Sequence, residues 1–111
     1  MWTAQENLQR IRFFKKCFRK QGFDLDQHLF EYRFYFDPLR RLIDSYMGFG
    51  FGAPCSFDDF LYEYDLMQKG SRGFLTFQPA VLDYIEKYGD LRLKSYYMSL
   101  ASVRSEDGDL L

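Results

Sequence analysis

Start and stop signals for helices recur so closely along this chain that no long element fits between them, and they constrain its fold more than any other feature. Thr3-Ala4-Gln5-Glu6 has the capping-box pattern, in which the hydroxyl accepts from the amide three residues on and the Glu side chain reaches back to the cap. Leu8, Ile11, Phe14 and Phe18 then fall on one side at helical spacing, with Phe13 and Cys17 turned away from that stripe, and Gly22 is a natural stop. Asp37-Pro38 supplies a cap and a proline suited to a first helical position, and Leu39, Leu42, Ile43, Tyr46 and Met47 make the buried face that follows. Gly48, Gly50, Gly52 and Pro54 make a continuing helix costly, so this stretch reads as a loop. Ser56-Phe57-Asp58-Asp59 caps a further helix that closes near Gly70. Gln78-Pro79 starts another, with Val81, Leu82 and Ile85 inward and Gly89 as its stop. Asp90 caps the last, carrying Leu93, Tyr96, Tyr97, Leu100 and Val103, and the polar end 105–111 is expected to fray.

Residues 25–36 admit two readings. Leu25, Leu29, Tyr32 and Phe36 fit a helix, whereas Phe30, Tyr32, Phe34 and Phe36 alternate with Glu31, Arg33 and Tyr35 as in a strand. The helix is preferred because a lone strand has no evident partner; the alternative is an α+β fold with a small hairpin formed from 28–36 and 73–77. The expectation is a mainly α fold, a compact bundle of five or six short helices in one domain over 1–111.

Composition bears on what such a bundle does. Thirteen Phe, nine Tyr and one Trp in 111 residues exceed what filling a small core requires. Rings bury large areas at low entropic cost and anchor interfaces, so a ring-rich chain without a catalytic motif reads first as a binding surface. Overall charge is balanced at -1, which excludes a supercharged nucleic-acid or membrane binder. Its distribution is uneven: residues 1–20 hold six basic groups against Glu6, and the remainder holds nine basic groups against fifteen acids. No apolar run reaches the roughly 18 residues that would span a bilayer, and no signal-peptide pattern opens the chain, so a cytoplasmic protein is expected. Two cysteines, Cys17 and Cys55, are too few for a disulfide framework, and reduced thiols are expected there.

The helix from Phe57 offers the most informative outer face. At about 100° per residue, Phe57, Phe60, Leu61, Tyr64 and Met67 share the core side. Asp58, Asp59, Glu63 and Asp65 collect opposite, around Tyr62 and Leu66. A ring framed by carboxylates suits a basic partner, although acids near a helix start also favour the dipole and form ordinary solvated faces. A second surface lies on the first helix, where Arg12, Lys16, Arg19 and Lys20 could meet phosphates while Phe13 stacks on a base. The excess acid elsewhere would repel a polyanion, and a solvated face is the plainer reading. Phe49 and Phe51 between glycines could approach a ligand, yet the lysine and spacing of a phosphate loop are missing. Catalysis is not expected: His28 is the only histidine, no nucleophile with base and orienting group is evident, and Cys17, Cys55 and His28 lack the paired spacing of a metal site. No cofactor or metal is expected.

A small, mildly acidic chain with an acid-framed Tyr62 and a Tyr96-Tyr97 pair resembles the immunity proteins that bacteria make against their own toxins, of the nuclease-bacteriocin and contact-dependent inhibition types. The resemblance is of style and covers no defined motif; the basic first helix departs from it. It implies an inhibitor that covers the active site or substrate groove of a cognate toxin domain, with Asp58, Asp59, Tyr62, Glu63, Asp65 and Leu66 in the acidic part and Tyr96 and Tyr97 in the tyrosine part. A nucleic-acid-binding or regulatory protein using the first helix is the alternative, and a structural or adaptor subunit, homodimeric through its rings, the next.

Overall fold

A computed structural model describes residues 3–50, 53–70 and 77–110. Their regular structure is all helical: α1 Ala4–Lys20, a short α2 Leu29–Glu31, a π-turn Tyr32–Phe36, α3 Asp37–Tyr46, α4 Phe57–Gly70, α5 Gln78–Tyr88 and α6 Leu91–Leu110. No strand occurs among the described residues, so the hairpin alternative is set aside for 28–36; 73–76 lie outside them. α6 takes in the residues from 105 to 110 assigned above to a frayed end.

The punctuation acts largely as its chemistry requires. The Thr3 hydroxyl accepts from the Glu6 amide at 3.1 Å, Ser56 Oγ from the Asp59 amide at 3.1 Å, and Asp90 Oδ1 from the Leu93 amide at 2.9 Å. α1 ends in a Schellman turn: Gly22 at φ 83° lets its own amide reach Arg19 O while the Phe23 amide returns to Phe18 O. α3 ends the same way at Gly48, φ 81°, with the Phe49 amide 2.7 Å from Asp44 O. These turns set down Phe23 and Phe49 in fixed places.

Asp37-Pro38 behaves differently from the cap predicted for it. Helical backbone runs through Phe36 and Asp37, and the Asp37 amide bonds five residues back to Tyr32 O. Proline has no amide to continue an α-ladder and its ring crowds the carbonyl four residues earlier. A widened π-turn just before Pro38 accommodates both effects without breaking the helix. The Asp37 side chain is thereby released from capping and turns inward.

α1 also presents a different face from the one its apolar spacing predicts. Leu8 is 43% exposed and Ile11 half-buried, while Arg10, Phe14, Cys17 and Phe18 are buried. Phe13 is half-buried too, edge-on to Tyr88 at 5.7 Å. The rotation has a cause in charge pairing. Asp44 Oδ2 accepts from Arg10 Nε at 3.2 Å and from Arg40 Nη1 at 2.7 Å, and Asp44 Oδ1 accepts from the Tyr84 hydroxyl at 2.6 Å. Asp37 Oδ1 accepts from Arg40 Nη2 at 3.0 Å and from the Tyr32 hydroxyl at 3.1 Å, and its Oδ2 from Arg41 Nε at 2.9 Å. Burial by itself opposes the Arg40 charge, but Asp37 and Asp44 outweigh it and raise the guanidinium pKa. The network ties α1, α3 and α5 together.

Most rings pack inside. Phe14 and Phe18 of α1 meet Tyr84, Phe36 and Phe77, with centroids 4.7–5.6 Å apart. Phe60 and Tyr64 of α4 lie against Tyr46 and Tyr97. Core chains from α1, α3, α4, α5 and α6 form one connected cluster.

Two changes test this construction. Tyr84→Phe keeps the ring and removes one donor from buried Asp44; unfolding in urea should show a loss of about 1.5–3 kcal/mol. Gly89→Ala places a Cβ 2.8 Å from Ile85 O although φ is an ordinary -89°. The backbone must shift, and about 1–3 kcal/mol should be lost in the same measurement.

Candidate functional site

The α4 outer face is assembled as its periodicity predicts. Ser56 fixes the helix start, Phe57, Phe60 and Tyr64 pack toward α3 and α6, and the opposite side is left to solvent. Asp58, Asp59, Glu63 and Asp65 are all exposed, and between them Tyr62 is 65% and Leu66 45% exposed. Asp65 pairs with Lys69 at 3.1 Å, exposed on both sides and so worth little. All four carboxylates are thus accessible from the surface.

The tyrosine pair of α6 divides. Tyr96 is half-buried, edge-on to Phe57 and Tyr64 at 6.1 Å. Burial, then the neighbouring Tyr64 and Asp65, raise its hydroxyl pKa. Tyr97 is 1% exposed and packs on Tyr64 at 5.3 Å, so it is a core residue and not a contact residue. Adjacent positions on a helix diverge by about 100°, and only one of the two can border a surface that its neighbour supports from within.

The basic face of α1 keeps its cations and loses its ring. Arg12, Lys16, Arg19 and Lys20 are exposed, but Phe13 lies under Lys87, whose ammonium sits 4.4 Å from the ring centroid. It is not free to stack on a base. Lys16, Lys20, Phe13 and Cys17 instead edge a cavity of about 340 Å³ with Asp83, Glu86 and Lys87, a mixed-charge surface. Burial, then the Asp83 carboxylate, push the Cys17 thiol up to about 11, so it is a poor nucleophile.

Phe49 turns inward over the Arg10 guanidinium at 4.8 Å and meets Tyr88 edge-on at 6.4 Å. Phe51 lies outside the described residues. His28 is exposed, stacked on Phe23 at 4.1 Å, with Nδ1 2.9 Å from Asp24 O. Among the described residues no three His, Cys, Asp or Glu side chains gather as metal ligands, and no helix is long and apolar enough to cross a membrane.

One feature has no counterpart in the sequence expectations: a cavity of about 810 Å³ between α1, the π-turn and α3. The buried charges line it, with Tyr32, Arg33 and Arg41 around them and Ile11, Leu29 and Phe49 as apolar wall. Burial, then the Asp37 charge, push the Tyr32 hydroxyl up to about 12. The helical spacing of Asp37, Arg40 and Asp44 was a signal for ion pairing, but nothing local to α3 could indicate that Arg10 completes it. No protein-family model, curated protein or solved structure matches the chain.

Thiol chemistry checks this placement. At about pH 8, a maleimide should modify half-buried Cys55 well before Cys17. The Cys17 pKa is raised on folding, so its stabilising contribution is intact below its ordinary value of 9.0 and is lost as pH rises toward 11. Denaturant midpoints should therefore fall across that window, and Cys17→Ser should flatten part of the fall.

Proposed function

We propose that this is a non-catalytic binding protein whose acidic α4 face recognises a basic protein surface, an immunity protein that blocks a cognate toxin domain in the manner of those its sequence resembles. The observation that supports this reading is the exposure of Tyr62 and Leu66 among four exposed carboxylates. Large apolar side chains held on a rigid helix cost little entropy on binding, and carboxylates around them steer a cationic partner toward them. The half-buried Tyr96 borders the patch and Tyr97 supports it from the core.

This division assigns different roles to the six α4 side chains. Asp58, Asp59, Glu63 and Asp65 act on encounter, so salt slows association. Tyr62 and Leu66 act on residence, since desolvated apolar anchors set the off-rate. A nuclease domain is the natural partner class, because a groove built to hold phosphates presents the basic surface that such an acidic face would cover.

On this reading a toxin domain is expected to be encoded beside this gene, and that domain is the partner with which the reading is tested. Co-expression should protect cells from it, and the purified pair should associate more slowly as salt rises. Tyr62→Ala should weaken binding by about 2 kcal/mol or more and reduce protection. Unchanged affinity in Tyr62→Ala would remove the site assignment, and absence of protection by the unaltered protein would remove the immunity reading.

A further inference from the structure

We propose that the cavity between α1, the π-turn and α3 is a binding site for a small molecule with an oxyanion head and an apolar body, such as an aryl or alkyl phosphate. Its volume of about 810 Å³ lies within the range of small-ligand pockets, roughly 300–1,000 Å³. Four arginines line it, Arg10, Arg33, Arg40 and Arg41, against two aspartates, Asp37 and Asp44. Two positive charges are left over in one concavity.

Their position follows from the pairing geometry. Asp44 is engaged by Arg10, Arg40 and Tyr84, and Asp37 by Arg40, Arg41 and Tyr32, so the two carboxylates are spent on the inner part of the network. The excess lies with the outer guanidiniums. Arg33 is exposed and makes no ion pair among the described residues. Arg41 is 74% exposed at its side chain and gives only Nε to Asp37, which leaves its terminal N–H groups for another acceptor. These two arginines stand four residues either side of Asp37, and both reach the same cavity. Guanidinium forks bind phosphate and carboxylate through paired charge-assisted hydrogen bonds, which a water-filled surface site would not orient.

The remaining wall sets the other half of the ligand. Ile11, Leu29, Phe49 and the ring of Tyr32 supply apolar surface next to the charged groups. Phe49 is held there by the Schellman turn at Gly48 and by its contact with Arg10, so that side of the cavity is preformed. A free inorganic anion would satisfy the arginines and leave this wall wet. An aryl phosphate satisfies both. None of these residues belongs to the α4 face, so the site is independent of the interaction proposed there.

Isothermal titration with phenyl phosphate tests the assignment, with inorganic phosphate and phenol as the separated halves. Phenyl phosphate should bind with one-to-one stoichiometry, about tenfold or more tighter than either half. The double variant Arg33→Ala/Arg41→Ala should weaken it by about tenfold or more, and so should Leu29→Asp, which sets a carboxylate in the exposed apolar wall. Circular dichroism confirms that each variant is folded. Arg12→Ala/Arg19→Ala removes the same charge from the α1 surface outside the cavity and should leave the affinity unchanged. Failure of phenyl phosphate to saturate in the millimolar range, or equal weakening by the two double variants, would overturn the site.

Discussion

Asp44 is the point on which the fold turns. Its carboxylate accepts from Arg10 of α1, from Arg40 of its own helix and from Tyr84 of α5, at 3.2, 2.7 and 2.6 Å, and it is buried. Removing such charges from water costs several kcal/mol each, and only saturation of the carboxylate oxygens by good donors offsets it. Geometry that satisfies this condition leaves little freedom: α1 must present Arg10, α5 must present Tyr84, and α3 must hold both between them. Dispersion among the surrounding rings would tolerate several rotations of α1, whereas the ion network admits one.

That constraint explains where sequence reading succeeds and where it fails. Caps and stops are local chemistry, and Thr3, Gly22, Ser56, Gly89 and Asp90 act where they were expected to. The α4 face was legible for the same reason, since one helix with a regular apolar side determines its own outside. α1 was not. Its apolar spacing places Leu8 and Ile11 inward, and a basic residue between them reads as surface until a buried acid elsewhere in the chain claims it. Phe13 and Cys17 follow that rotation toward α5, which removes the ring on which nucleic-acid stacking depended. Asp37 shows a related limit: the Asp-Pro pair has the composition of a helix start, but a π-turn upstream absorbs the proline and frees the carboxylate for Arg40.

The aromatic surplus resolves along the same lines. Rings from every helix except the three-residue α2 pack in or against the core, edge-on as Phe14 meets Tyr84 and Tyr64 meets Tyr97, or stacked as Phe60 meets Tyr64. Among the described residues the exposed large apolar side chains include Tyr62 and Leu66 on α4 and Leu29, Phe30 and Phe34 around the π-turn. The first pair lies among carboxylates and the second group adjoins arginines. The two regions therefore differ in the charge they would select in a partner, one cationic and macromolecular, the other anionic and small.

A double-mutant cycle on Arg10 and Asp44 measures the central interaction most directly, because it separates their coupling from the cost of each truncation. Arg10→Met, Asp44→Ala and the double variant are compared by urea unfolding. Coupling of about 2 kcal/mol or more is expected for a pair that orients α1 on α3. Coupling below about 0.5 kcal/mol, with the single changes simply additive, would contradict the claim that this network sets the arrangement of the helices.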